Sequence, residues 1–179
     1  MMLPKIMLLA MLTAVLALPA TAQEWTTPII EGYGKIKYYK NTDLQPQKDM
    51  QYKVAFDLKS DKKKEGVNAG LWKMARLLNL LGAAGVPAEN ISLVGVVHGP
   101  ATFMILKDEL YHEKMGESNP NVELLRKLTD YGVIFYVCNQ AAAGRDIDPI
   151  QDMNEYIKES LSALIDFPLL QQKGYTIMP

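Results

Sequence analysis

The chain has 179 residues, 49% of them hydrophobic, with 19 basic against 20 acidic side chains and a formal net charge of −1. That length fits one domain with a sizeable core. Near-balanced charge excludes the basic stripe of a nucleic-acid binder. The single cysteine, Cys138, excludes an internal disulfide, and with only two histidines no structural zinc site closes without carboxylates.

Residues 1–22 read as a cleaved leader. Lys5 supplies a positive start, Ile6 to Leu18 is an uncharged apolar run, and Ala20-Thr21-Ala22 is a small-residue cleavage site before Gln23. The apolar run is too short to span a bilayer. The expected location is periplasmic or secreted, with no membrane association after cleavage. In an oxidising compartment a lone cysteine is buried and inert, reactive, or joined to another chain.

Residues 23–50 form an N-terminal extension. Ile29 to Tyr39 carries β-formers around Gly32 and Gly34, and Asn41 to Gln47 is a loop. The domain proper spans 51–179. Gln51 to Leu58 reads as a strand, and the polar residues Lys59 to Glu65 as a turn, with Lys62 to Lys64 a solvated loop. A helix follows: Val67, Leu71, Met74, Leu78 and Leu81 share one face, while Lys73, Arg76 and Asn79 point away. Gly82, Gly85 and Pro87 stop it. Ile91 to Val97 is a continuous apolar run, the mark of a parallel strand covered on both faces.

Pro100 starts a helix with Phe103, Leu106 and Leu110 on one side. Asn119 and Pro120 start another, which runs to Tyr131 and ends at Gly132. Val133 to Val137 is the third strand, closed by Cys138, and Asn139 to Asp148 is a loop. Asp152 to Ile165 has two readings: one helix, or a short strand near Tyr156 to Lys158 leading into a helix at Ser160. Pro168 kinks or restarts that helix, Gly174 ends it, and Tyr175 to Met178 is a final strand. Strands alternating with helices give βαβ units and a mostly parallel sheet.

The turn after the first strand holds no glycine, so it is neither a dinucleotide fingerprint nor a phosphate loop. No G-x-S-x-G elbow occurs. Asp146, Asp148 and Asp152 lack the Gly and terminal Glu of a calcium loop. No metal and no cofactor are expected. Ligands of open α/β sheets bind beyond the carboxyl ends of the strands, and Asp57, His98 and Cys138 fall there, converging on one rim.

Each has a plain alternative role. A free cysteine usually packs as a small hydrophobe. As a nucleophile it needs cations or amide dipoles to lower its pKa. The loop of Asn139, Gln140, Ala141 to Ala143 and Gly144 admits a reagent and offers donors, and Arg145 is placed to stabilise a thiolate. His98 is either a satisfied rim residue or a proton donor or base. His112 reads as surface. Asn68 and Asn121 read as helix caps or as rim ligands.

Four segments carry a resemblance: Val96 to Ala101 (VVHGPA), Asn119-Pro120-Asn121, Tyr131 to Gln140 (YGVIFYVCNQ) and Leu169 to Ile177 (LLQQKGYTI). In order and spacing they resemble the DsrE/DsrF-like family from about residue 51 onward, most of all its exported branch. The resemblance implies a three-layer α/β/α fold on a mostly parallel five-stranded sheet, and favours strand then helix for Asp152 to Ile165. It also implies a homo-oligomer, trimer or hexamer, and some cytoplasmic members of the family relay sulfur as a persulfide on a cysteine. Cys138 matches the cysteine closing the third strand. Asn139 departs from the glycine that commonly follows it, and Pro168 interrupts the last helix.

Three functions stay open at this stage. The first is sulfur trafficking or persulfide chemistry through Cys138, with His98 and Asn139 lining the site, Gln140 and Asp57 beside it, Arg145 tuning the thiolate, and a donor or acceptor protein as partner. The second is a non-catalytic oligomeric module binding a small anion or protein, with Cys138 structural. The third is a redox sensor acting through an intermolecular disulfide.

Overall fold

The computed structural model describes residues 24–179. The leader-like segment 1–22 lies outside the described residues. Five strands form one sheet: β1 (Tyr52–Leu58), β4 (Ile91–Val97), β5 (Ile134–Cys138), β6 (Ile157–Ser160) and β7 (Thr176–Met178), in the order β6-β5-β4-β1-β7. Every pairing is parallel, with Leu58 opposite Val97, Val97 opposite Val137, and Cys138 opposite Ser160.

Strand side chains alternate between faces, and the alternation defines three layers. On the first face Val54, Phe56, Leu58, Leu93, Val97, Phe135, Val137 and Ile157 pack against helices α1 (Ala69–Ala83) and α3 (Val122–Tyr131). On the second, Ala55, Val94, Val96 and Cys138 pack against α5 (Ala163–Gln172) through Ala163 and Leu170. At Gly95 the β4–β5 pair leaves no room for a side chain: a Cβ there would lie 2.6 Å from the Phe135 ring. Among the described residues no helix is long and apolar enough to cross a membrane.

Several elements differ from the sequence reading. Val67 precedes α1 rather than opening it. Val67–Asn68 (β3) pairs antiparallel with Lys63–Lys64 (β2), so the exposed basic run lies partly in a hairpin. Asn68 then caps α1, accepting from the Gly70 amide at 2.8 Å. The helix begins where this cap is made rather than where the apolar period begins.

The segment after Pro100 is also split. Gly99–Ile105 is a 3-10 stretch with proline in its first turn, and Leu106 returns to extended backbone. There it bridges to Met153, and the Lys107 amide donates to the Asp152 carbonyl. These long-range bonds break the helix before α2 (Asp108–Met115) begins. Asn119 is not the cap of α3. Its amide donates to the Met104 and Leu106 carbonyls, tying the chain back, and the helix starts at Val122. The loop expected after Cys138 opens directly as a short helix, α4 (Asn139–Ala143). Pro168 sits inside α5, which continues through it.

The N-terminal extension folds back on its own domain. Among its described residues it holds one bridge, Thr26 to Ile36, and buries Ile30 and Ile36. Asn79, assigned to the outward face of α1, is fully buried beneath it. Its Oδ1 accepts from the Ile29 and Ile30 amides, both at 2.8 Å, and its Nδ2 donates to the Tyr33 and Gly34 carbonyls. Arg76, on the same face, lies 4.0 Å from the Trp72 ring centre and 5.8 Å from that of Trp25, and donates twice to the Lys35 carbonyl. The "outward" side of α1 is therefore a second interface.

Candidate functional site at the carboxyl rim of the sheet

Asp57, His98 and Cys138 follow the parity of Ala55, Val96 and Tyr136, so all three belong to the α5 side of the sheet. Their order across the rim is that of β1, β4 and β5. His98 Nε2 and Asp57 Oδ1 are 2.6 Å apart, with the side chains only 19% and 31% exposed. The Phe167 ring of α5 meets the imidazole edge-on, with centroids 6.0 Å apart. Histidine is thus held by a carboxylate on one side and an apolar wall on the other, an arrangement that fixes its orientation. Lys59, Lys62 and Lys73 line a cleft that opens beside Asp57.

Cys138 ends β5 with 5% of its surface exposed. Its thiol donates weakly to Ser162 Oγ, 4.0 Å from the sulfur. Ser162 is the N-cap of α5 and accepts from the Leu164 amide. Ser160, opposite Cys138 in the sheet, donates to the Val137 carbonyl at 2.9 Å and lies 2.6 Å from Asp166 Oδ2. Burial pushes the Asp166 carboxyl above its ordinary range, and the Ser160 hydroxyl pulls weakly the other way.

This corner is also where the chain paths diverge. After β5 the chain enters α4, whose Ala142 packs with Leu106, Tyr111 and Ile147 beside the first-face core. After β6 it enters α5 on the second face. In open α/β sheets ligands bind beyond strand ends where the connections part to opposite faces; here that corner is closed over the sulfur, which is 5% exposed.

The remaining sequence candidates are placed as follows. Asn139 Nδ2 donates to Glu159 Oε2 at 3.0 Å, while its buried Oδ1 has no hydrogen-bond partner among the described residues. Gln140 is exposed on α4. The Arg145 guanidinium donates to the Ala141 carbonyl at 2.9 Å, which ties it to the far end of α4 rather than to the thiol. Asn68 and Asn121 bond to each other, the Asn68 amide donating to Asn121 Oδ1 at 2.7 Å. Among the described residues no group of three His, Cys, Asp or Glu is spaced to hold a metal ion.

Sequence reasoning missed Ser160, Ser162 and Asp166. A serine just before an apolar helix is a cap signal, so Ser162 was findable. Its place over the sulfur depends on β6 lying beside β5, which local pattern does not encode.

The DsrE/DsrF-like family model matches residues 58–179. No curated protein matches the chain. Among solved structures, a protein of unknown function from Methanobacterium thermoautotrophicum is 18% identical, with a TM-score of 0.48 over 72% of this chain and 98% of that one. With two thirds of its length matched by the family model, the chain belongs to the DsrE/DsrF-like family.

Proposed function

We propose that this protein handles sulfane sulfur through Cys138. The observation that carries the reading is the position of the only thiol: at the end of β5, where the chain leaves β5 and β6 toward different helices, on the same face and rim as the Asp57–His98 pair. The family's association with sulfur relay supports it.

The step balances without an outside oxidant. The Cys138 thiolate attacks the outer sulfur of a donor persulfide or polysulfide. One S–S bond forms on Cys138, the donor's S–S bond breaks, and the donor leaves as a thiolate that takes up a proton. Transfer to an acceptor thiol reverses the same chemistry. Because the sulfur is nearly covered, the Leu161–Ser162 turn above it moves aside for the donor. The reading sets this chemistry outside the cytoplasm on the strength of residues 1–22 alone. It also takes the working unit to be a homo-oligomer, trimer or hexamer, consistent with the exposed apolar side chains Leu161, Leu164, Ile165 and Leu169 around α5.

The test is cyanolysis. Protein treated with polysulfide and desalted releases thiocyanate in an amount equal to its Cys138 content, and Cys138→Ser releases none. Equal release from both proteins overturns the reading. A second reading has an observation in its favour: Cys138 packs among Ala55, Val94, Val96, Ala163 and Leu170 as a small core residue would. In that case the rim binds an anion or a partner protein without chemistry, and Cys138→Ser leaves that binding unchanged.

A further inference from the structure

The segments that leave β1 and β4 run side by side at the carboxyl rim. The His98 amide donates to the Leu58 carbonyl and the Ala101 amide to the Lys59 carbonyl, both at 3.1 Å. Between the β2–β3 hairpin, the 3-10 stretch Gly99–Ile105 and α2 lies a cavity of about 210 Å³. Its lining includes Ala101 and Met104, which belong to the first-face core, so it sits on the other side of the sheet from Cys138. The proposed sulfur chemistry does not use it.

The buried amides of this cavity are engaged inside the protein. Asn68 donates to the Ser60 carbonyl and accepts from the Gly70 amide. Asn121 accepts from the Asn68 backbone amide and donates to Asn119 Oδ1. Tyr111 is the exception. It is only 6% exposed, and among the described residues its hydroxyl has no hydrogen-bond partner. Nor is that hydroxyl sealed off, as Thr129 Oγ1 and Asn139 Oδ1 are. It is therefore reached from the cavity that Tyr111 lines. A buried phenol normally finds a partner, and a ligand in the cavity supplies one. Burial pushes the Tyr111 phenol above its ordinary range, with Lys63 pulling it down and Glu117 adding to the rise. It stays neutral, and its oxygen can accept a hydrogen bond.

The charges at the mouth have one sign left over. Lys63 on the hairpin pairs with Glu117, just past the end of α2, closing one side. Asp61, also at the mouth, has no ion-pair or hydrogen-bond partner among the described residues. The neighbouring lysines are directed elsewhere. Lys59, Lys62 and Lys73 line the cleft beside Asp57, and Lys64 lies 3.8 Å over the Trp72 ring. The walls are apolar and polarisable: Phe103 and Tyr111 are aromatic, Met104 and Met115 are thioethers.

From this arrangement we infer that the cavity is a binding site for a small organic cation, an ammonium group carried on an apolar body of about one ring. The ammonium donates to the Tyr111 oxygen and is balanced by Asp61. Aromatic walls favour a cation electrostatically, and thioethers pack well against an apolar ring. The volume falls below the roughly 300–1,000 Å³ of sites for drug-sized ligands, which limits the ligand to a small molecule. The inference goes beyond the sulfur reading and does not depend on it.

Isothermal titration of the full protein with benzylammonium, and with benzyl alcohol as its uncharged counterpart of the same size, tests this. Benzylammonium binds once per chain and about tenfold more tightly than benzyl alcohol, the difference expected of one charge contact and a cation beside aromatic rings. Asp61→Asn abolishes that preference. Tyr111→Phe weakens benzylammonium several-fold, yet its ligand-free thermal midpoint is not lowered, because the deleted hydroxyl bonds to nothing in the protein. Equal affinity for the two compounds, no benzylammonium binding at millimolar concentration, or a preference that survives Asp61→Asn overturns the inference. So does a Tyr111→Phe variant that melts lower and binds as wild type, since the hydroxyl would then be held by the protein. Cys138→Ser keeps the binding; its loss there would place the ligand at the sulfur corner and overturn the assignment.

Discussion

Asn79→Ala tests whether the N-terminal extension is an integral part of the domain. The side chain is fully buried and makes four hydrogen bonds to the backbone of residues 29–34. Alanine leaves two amides and two carbonyls without their partner. A buried polar group left unsatisfied costs about 1–3 kcal/mol, and partial rehydration as the extension loosens limits the sum, so we expect a loss of about 3–5 kcal/mol. Against a typical total of about 5–15 kcal/mol, that is a large fraction. Urea unfolding followed by tryptophan fluorescence reads it directly, since Trp72 and Trp25 flank the same interface. The expected result is a midpoint shift with an unchanged m-value and faster protease cleavage between residues 37 and 50. A loss below about 1 kcal/mol refutes the reasoning and makes the extension a loosely held arm.

Three further outcomes follow from named contacts. Gly34→Ala should destabilise by about 1–3 kcal/mol in the same assay, because its φ is +62° and its Cβ would meet the Arg76 backbone at 2.3 Å. Gly95→Ala drives a methyl to 2.6 Å from the Phe135 ring and 2.8 Å from Leu58 in the middle of the core, so a loss of similar size, about 1–3 kcal/mol, is expected in thermal melts. Asp166→Asn tests the sign of a linkage. A carboxyl whose folded pKa is raised contributes stability that is complete below its unfolded value and is lost as pH rises through the folded one. Melts of Asp166→Asn against wild type should therefore diverge in the variant's favour from about pH 4 upward, and a pH-independent difference contradicts the assignment.

Much of the fold was legible because its signals are local. The apolar run Ile91 to Val97 is typical of a covered parallel strand and forms one, and the glycine after Tyr131 does end α3, with φ of 110°. The rim trio was legible for a topological reason: strands that run in parallel bring their last residues to one edge. What was not legible depended on distant partners. Asn79 reads as surface because nothing in the period of α1 shows that residues 29–36 return to cover it. The helix after Pro100 reads as continuous because the Asp152 carbonyl that breaks it lies 45 residues further along. Arg145 was assigned to the thiol by proximity in sequence, yet α4 forms in place of the loop and turns its guanidinium to the Ala141 carbonyl. The groups that do surround Cys138 come from β6 and α5, and only the sheet order brings them there.

The most direct measurement of the central claim is the intact mass of the native protein, without reductant, after exposure to polysulfide. The account predicts one added sulfur atom, mapped to the Cys138 peptide, removed by dithiothreitol and missing from Cys138→Ser. An unchanged mass under conditions where the unfolded chain is modified would contradict it, and would make Cys138 a packed core residue.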